Sequence, residues 1–158
     1  MLESGQTHAG VLVAFLKDVL KQNSPTIVAT TTGPGSFTSI RVQLAAAIGF
    51  KMGYEADLFC PNTLEVLLNA YPNHIPVLDS FRGDFFCLVN NAVTCLTKAQ
   101  LETLNQPLCG DLGKPCKNLP EYLIHYYRQH KNPFELSKPA PFYVRTPEYK
   151  KRSTILNN

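Results

Sequence analysis

Residues 27–38, "IVATTTGPGSFT", decide the fold. A β-branched run leads into Gly33-Pro34-Gly35, and a helix-like stretch begins at Ser36. Strand, glycine-rich turn and helix in that order is the layout of a phosphate cradle, so the first question is whether this turn has a cradle's chemistry. Two common forms fail. The P-loop needs a lysine after its last glycine to reach the β- and γ-phosphates, and Ser36 follows Gly35 instead. The dinucleotide fingerprint needs a third glycine, which Gly-Pro-Gly-Ser-Phe-Thr does not supply. What remains is general. Gly33 and Gly35 admit backbone angles that other residues avoid, Pro34 stiffens the turn, and Ser36 is placed to cap the helix by accepting a first-turn N–H. The exposed amides at such a helix start also attract anions. A strand–turn–helix corner that only needs good capping explains the same residues, and physical chemistry alone favours it.

Working outward, the periodicities give an interleaved order. Ala9 to Lys21 is a helix, with Val11, Leu12, Phe15, Leu16, Val19 and Leu20 at helical spacing. Residues 24–32 form a strand begun after a proline, and Ser36 to Gly53 form a second helix ended by Gly53. "NTLEVLLNAY" is a short helix capped by Asn62 or Thr63. "IPVLDS" and "DFFCLVNNAV" are strands joined through Phe81-Arg82-Gly83. "TKAQLETLN" is helical with Thr97 as N-cap, residues 106–120 are a Pro/Gly/Cys-rich loop, and "EYLIHYYRQH" is the last helix. "APFYVRTPEYKKR" closes with a short strand and a basic tail. Alternating strands and helices predict an α/β fold. The composition break near Tyr71 to Ile75 divides the chain into a subdomain at 1–72 and a shorter one at 73–158.

Composition excludes several classes. With 158 residues, 44% of them hydrophobic, the chain has material for a real core. Fifteen basic against twelve acidic side chains leave +3, concentrated only at Lys150-Lys151-Arg152, too weak a field to argue nucleic-acid binding from charge. No apolar run reaches membrane-span length. Five cysteines form an odd set without a CxxC pair, and four histidines include no HExxH. That spacing predicts reduced thiols, no bound metal and a cytoplasmic protein, with Cys109 and Cys116 the nearest approach to a ligand pair.

Gly33-Pro34-Gly35-Ser36-Phe37-Thr38, followed by Ile40-Arg41-Val42, closely resembles the signature of the TsaB (YeaZ) family. Further segments agree in order: "THAGVLVAFLKDVL" with the family's first helix, "CPNTLEVLLNA" with its next helical segment, "VLDSFRGDFFC" with its hairpin through Asp79, Arg82 and Gly83, and "PFYVR" with its closing segment. The resemblance implies an actin-like (RNase H-like) ATPase fold of two small α/β subdomains. It also implies a job: a non-catalytic dimerisation subunit of the machinery that makes threonylcarbamoyladenosine in certain tRNAs. The expected partners are a paralogous TsaD-like transferase subunit and a TsaE-like ATPase, with a homodimer as substitute and only indirect contact with tRNA. ATP or ADP is expected only within the assembled complex, and no residue of this chain is expected to be catalytic. The alternative is an actin-like nucleotide-binding enzyme, or a glycoprotease-like remnant, using Gly33–Thr38. Departures are clear as well. The family's first strands, with their "AIDTS"-like motif, have no counterpart ahead of the first helix, so either the chain is a fragment or its sheet is rebuilt, with an open edge on "PTIVATTT". Thr31, Thr32, Ser39 and Gln43 replace usual family residues. His125 and His130 stand five apart, not at the spacing that brings two ligands onto one helical face.

The two helices carry the positive argument. The apolar set of the first fills an arc of about 200°, twice what one sheet-facing stripe needs. The second has only Arg41, Gln43 and Lys51 as long polar residues, all on different sides, and Val42, Ala45, Ala46, Gly49 and Gly53 make a seam of small residues. Another helix can approach closely over such a seam. A chain this short has little to cover both helices, so Leu12, Phe15, Leu16 and Val19 together with that seam are expected to form the partner interface, as the resemblance also implies.

Overall fold

The computed structural model describes residues 8–20, 24–130 and 139–145. Helix α1 spans His8–Leu20 and strand β1 Ile27–Ala29. Next come α2 (Phe37–Tyr54), β2 (Asp57–Phe59) and α3 (Thr63–Ala70). Then β3 (Ile75–Asp79), β4 (Phe85–Val89), β5 (Ala92–Leu96) and α4 (Lys98–Thr103) follow. The order ends with β6 (Leu108–Gly110), β7 (Lys114–Pro115) and α5 (Leu119–Gln129).

Strand β1 pairs in parallel with β2, with Val28 opposite Leu58, and α2 makes the crossover that parallel pairing requires. The strand is shorter than the sequence predicts, but bonds from Thr30 N–H to the Phe59 carbonyl (3.0 Å) and from Thr32 N–H to the Pro61 carbonyl (2.9 Å) extend it into the turn. Helix α2 buries Ile40, Leu44 and Ala47, positions i, i+4 and i+7, against Leu58 and Cys60, with Val28 and Ile48 alongside. Among the described residues, these three are the fully buried positions of α2.

The second sheet has the order β5-β4-β3-β6-β7, with β3–β4–β5 antiparallel and β3–β6–β7 parallel. Its core is Ile75, Val77, Cys87 and Leu101, flanked by Phe85, Val89 and Leu96. Helix α3 packs against β3, β4 and α5, burying Leu64, Val66 and Leu67.

Local signals worked where capping chemistry was explicit. Asn62 caps α3 by accepting from Leu64 N–H, and Thr97 with Gln100 forms a reciprocal capping box on α4. Five further expectations are corrected. Ser36 occupies the N-cap of α2, but its side chain accepts no helical N–H; the Ile40 N–H bond to the Ser36 carbonyl (3.0 Å) starts the helix, and Ser36 itself faces solvent. Gly53 does not end α2, which runs one residue further with Phe50 and Tyr54 stacked one turn apart, and stops at Glu55 in a left-handed conformation (φ 54°). "DFFCLVNNAV" is two strands, because Asn90 (φ 50°) and Asn91 (φ 60°) both take the positive φ of a tight hairpin turn. The stretch 106–120 contains β6 and β7, strands too short to show a period. Residues 139–145 contain no strand; the basic tail lies outside the described residues.

Candidate functional site

The signature turn is built by contacts distant in sequence. Gly33 has φ +106°, and a Cβ there would lie 2.6 Å from Ile40 Cδ1 and 3.2 Å from the Phe142 carbonyl oxygen. Only glycine meets both conditions. The Gly33–Pro34 peptide is cis, and both residues are buried. Thr63 N–H donates to the Gly33 carbonyl (2.8 Å) and Phe142 N–H to the Thr32 carbonyl (2.8 Å), while the Thr32 hydroxyl donates to Pro61 (3.3 Å). The Gln43 amide donates to the Thr31 carbonyl at 2.7 Å. Gly35 is half-buried, and Ser36, Phe37, Thr38 and Arg41 are exposed. The turn thus uses its backbone groups to hold β1, α3 and residues 139–145 together.

Phe37 and Arg41, one helical turn apart, face the closing segment. Phe37 stacks on Tyr143 with centroids 5.1 Å apart, and the Arg41 guanidinium lies 3.9 Å from the Phe37 ring centre while its Nε donates to the Tyr143 hydroxyl at 2.9 Å. Two residues on, Arg145 forms an ion pair with Asp84 at the start of β4. Asp84 also accepts from the Ser80 hydroxyl. In the same hairpin Asp79 accepts from Phe81 N–H (2.6 Å), and Asp79 N–H donates to Asp111 (2.7 Å). Residues 139–145 therefore strap the signature turn to the β3–β4 hairpin. The sequence presented these as separate similarities; their meeting, and the parts of Tyr143, Arg145 and Asp84 in it, had no local signal.

The expected interface residues divide by exposure. Phe15 is 62% and Val19 42% exposed, and Leu16 is half-buried. The side chain of Leu12 lies outside the described residues. On α2, Ala45 and Gly49 are exposed and Val42 and Ala46 half-buried; a Cβ at Gly49 would meet nothing within 4 Å. Val13 (50% exposed) and Met52 (79%) extend these apolar surfaces beyond the expected set.

The thiols and histidines sit elsewhere. Burial pushes the Cys87 and Cys109 thiols up to about 11, and also raises Cys95 and Cys116. All five cysteines are free. Among the described residues no group of three or more His, Cys, Asp or Glu could hold a metal ion. His125 meets Gln129 at 3.0 Å within α5, and His130, just past its end, meets the Tyr126 carbonyl at 2.9 Å. Tyr71, at the end of α3, shares a 2.6 Å hydrogen bond with Tyr122 of α5; that bond and desolvation raise its ionisation to about 12. No helix of the described residues is long and apolar enough to cross a membrane.

Residues 4–93 match the family described as TsaD: tRNA N6-adenosine threonylcarbamoyltransferase. No curated protein matches. Among solved structures, the chain is similar to an uncharacterized protein with similarity to peptidase YEAZ from Pseudomonas aeruginosa, with a TM-score of 0.58 and 14% identity over 89% of this chain and 85% of that one. It also matches YeaZ from Pseudomonas aeruginosa, with a TM-score of 0.40 and 17% identity, over 56% of this chain and 49% of that one. The first of these, with the element order above, places the architecture in the actin-like (RNase H-like) α/β class.

Proposed function

The chain belongs to the TsaD tRNA N6-adenosine threonylcarbamoyltransferase family, and from that premise we propose that it serves as a non-catalytic partner subunit of a tRNA threonylcarbamoylation complex. The observation that carries this reading is the open apolar surface of α1 and α2. Phe15 and Val19 stand exposed, and α2 buries one stripe while Ala45 and Gly49 remain at the surface. Exposed apolar surface of this kind, with small residues that let a second helix approach, suits a helix-on-helix subunit contact. Its partner is the paralogous TsaD-like transferase subunit, with a second copy of this chain as substitute, and a TsaE-like ATPase joins the assembly.

The signature turn supports the same reading. Gly33 through Thr38 carries no phosphate-grasping lysine, and the carbonyls of Thr31, Thr32 and Gly33 are engaged in holding the corner. ATP or ADP engages the turn only within an assembled complex, tRNA contact is indirect, and the complex works in the cytoplasm. The 1–72 and 73–158 segments act as two subdomains joined through the strap.

Reconstitution tests the proposal. The chain alone should form no threonylcarbamoyladenosine on tRNA, and should bind Mg-ATP more weakly than micromolar by titration calorimetry. It should raise product formation when added to the transferase and ATPase subunits. Product formation by the lone chain, or micromolar Mg-ATP affinity, overturns it in favour of a nucleotide-using enzyme.

A further inference from the structure

A cleft of about 330 Å³ lies between α3 and α5, walled on one side by Asn69 and Ala70 at the end of α3. Helix α5 lines the other side with Glu121, Ile124, His125 and Arg128 among its residues. Hydrogen bonds between the two helices fix the place of one proton. Asn69 Nδ2 donates to Gln129 Oε1 at 2.8 Å, so it is the amide nitrogen of Gln129 that meets His125 Nε2 at 3.0 Å. An amide nitrogen only donates. His125 Nε2 therefore accepts, and the neutral ring carries its proton on Nδ1. That Nδ1–H has no acceptor among the described residues, and the Arg128 guanidinium has no partner among them either. Residues three apart on a helix are neighbours, so the two idle donors share one stretch of wall. Glu121 does not neutralise Arg128, because it turns back to the helix start and accepts from Asn118 Nδ2 at 2.6 Å.

We propose that this cleft binds a small organic carboxylate with a short apolar body. The Arg128 guanidinium and the His125 Nδ1–H supply N–H donors for the two carboxylate oxygens. Ala70 and Ile124, the latter 50% exposed, give the hydrocarbon part an apolar wall. A phosphate brings more acceptor oxygens than these two groups satisfy, and no apolar body to set against that wall. Gln129 is a positioning residue: held by Asn69, it keeps the ring proton on Nδ1. Arg128 lies in the last turn of α5, where the helix dipole disfavours an anion, so the guanidinium supplies the attraction and binding is weak. The site is separate from the α1–α2 surface and does not depend on the function proposed for it.

NMR titration of the full chain with sodium butyrate tests the site. The His125 and Arg128 side-chain signals should shift saturably, with a Kd of about 5 mM. Acetate, which lacks the apolar body, should bind about fivefold more weakly. Inorganic phosphate should bind no better than acetate. Shifts that do not saturate by about 100 mM butyrate overturn the proposal. Phosphate binding more tightly than butyrate also overturns it, by making the cleft a general anion site. Arg128→Gln should fold by circular dichroism, since the position is exposed, and should weaken butyrate about tenfold. Unchanged affinity in that variant places the carboxylate elsewhere and refutes the site. Long-range proton–nitrogen spectra at about pH 8 should show His125 with Nδ1 protonated and Nε2 bare. Gln129→Ala, also at an exposed position, should give a mixture of the two ring tautomers and weaken butyrate about threefold. A folded variant with the wild-type tautomer and affinity refutes the positioning role.

Discussion

Arg41 donates from Nε to the Tyr143 hydroxyl at 2.9 Å across 102 residues of sequence. With Phe37 beneath the guanidinium, this contact is where the closing segment is fastened to the signature helix. Arg41→Ala should destabilise the fold by about 1 kcal/mol in denaturant titrations, the scale of an exposed hydrogen bond with a cation–π contact. Arg41→Lys should recover little of it, because the flat fork that stacks and donates at once is lost. A loss within error of zero would mean the strap is not fastened there.

Gly33 is the sharper constraint. Gly33→Ala imposes a side chain at φ +106° and presses it on Ile40 and the Phe142 carbonyl. The expected cost is about 1–3 kcal/mol, the range for a strained backbone position. Adding Ile40→Val should relieve the side-chain contact but not the backbone strain, so the double variant should stay below wild type in thermal unfolding.

Ala46→Arg tests the subunit surface. Ala46 is half-buried beside exposed Ala45 and Gly49, so the free chain can direct the long side chain to water. Folding by circular dichroism should be nearly unchanged, while co-sedimentation with the transferase subunit should weaken by several kcal/mol, the scale for a desolvated unpaired charge. An unfolded variant would make the seam internal core; a folded variant that still associates would place the interface elsewhere.

The Tyr71–Tyr122 bond makes a prediction about pH. Folding raises Tyr71 from its ordinary 10.0 to about 12, so the folded state favours the neutral phenol. The stabilisation is complete below pH 10 and is lost as pH rises from about 10 toward 12. Tyr71→Phe should therefore show a shallower fall in stability than wild type over that range, measured by urea midpoints, and no difference in pH dependence near neutrality.

The thiols should divide by burial. Cys87 and Cys109 are buried and held near 11, so at pH 8 each is almost entirely the unreactive thiol. Alkylation mapped by mass spectrometry should label half-buried Cys95 and Cys116 before either of them. Rapid native labelling of Cys109 would show that β6 opens readily.

The sequence by itself determined whatever is written within one turn of chain. The Asn62 and Thr97 caps and the strand–turn–helix order around Gly33 rest on interactions only a few residues apart. Motif similarity added the family, since a short rigid turn tolerates few substitutions. The strands at 108–110 and 114–115 escaped notice because two or three residues show no alternation and gain strand geometry only from β3 beside them. The Asn90–Asn91 turn did carry a signal, since asparagine tolerates positive φ, but the apolar run around it hid the break. That Tyr143 meets Arg41 and that Arg145 meets Asp84 was settled by the tertiary structure alone. Those facts depend on where distant segments come to rest, which is set by the sum of many weak contacts and leaves no local pattern in the chain.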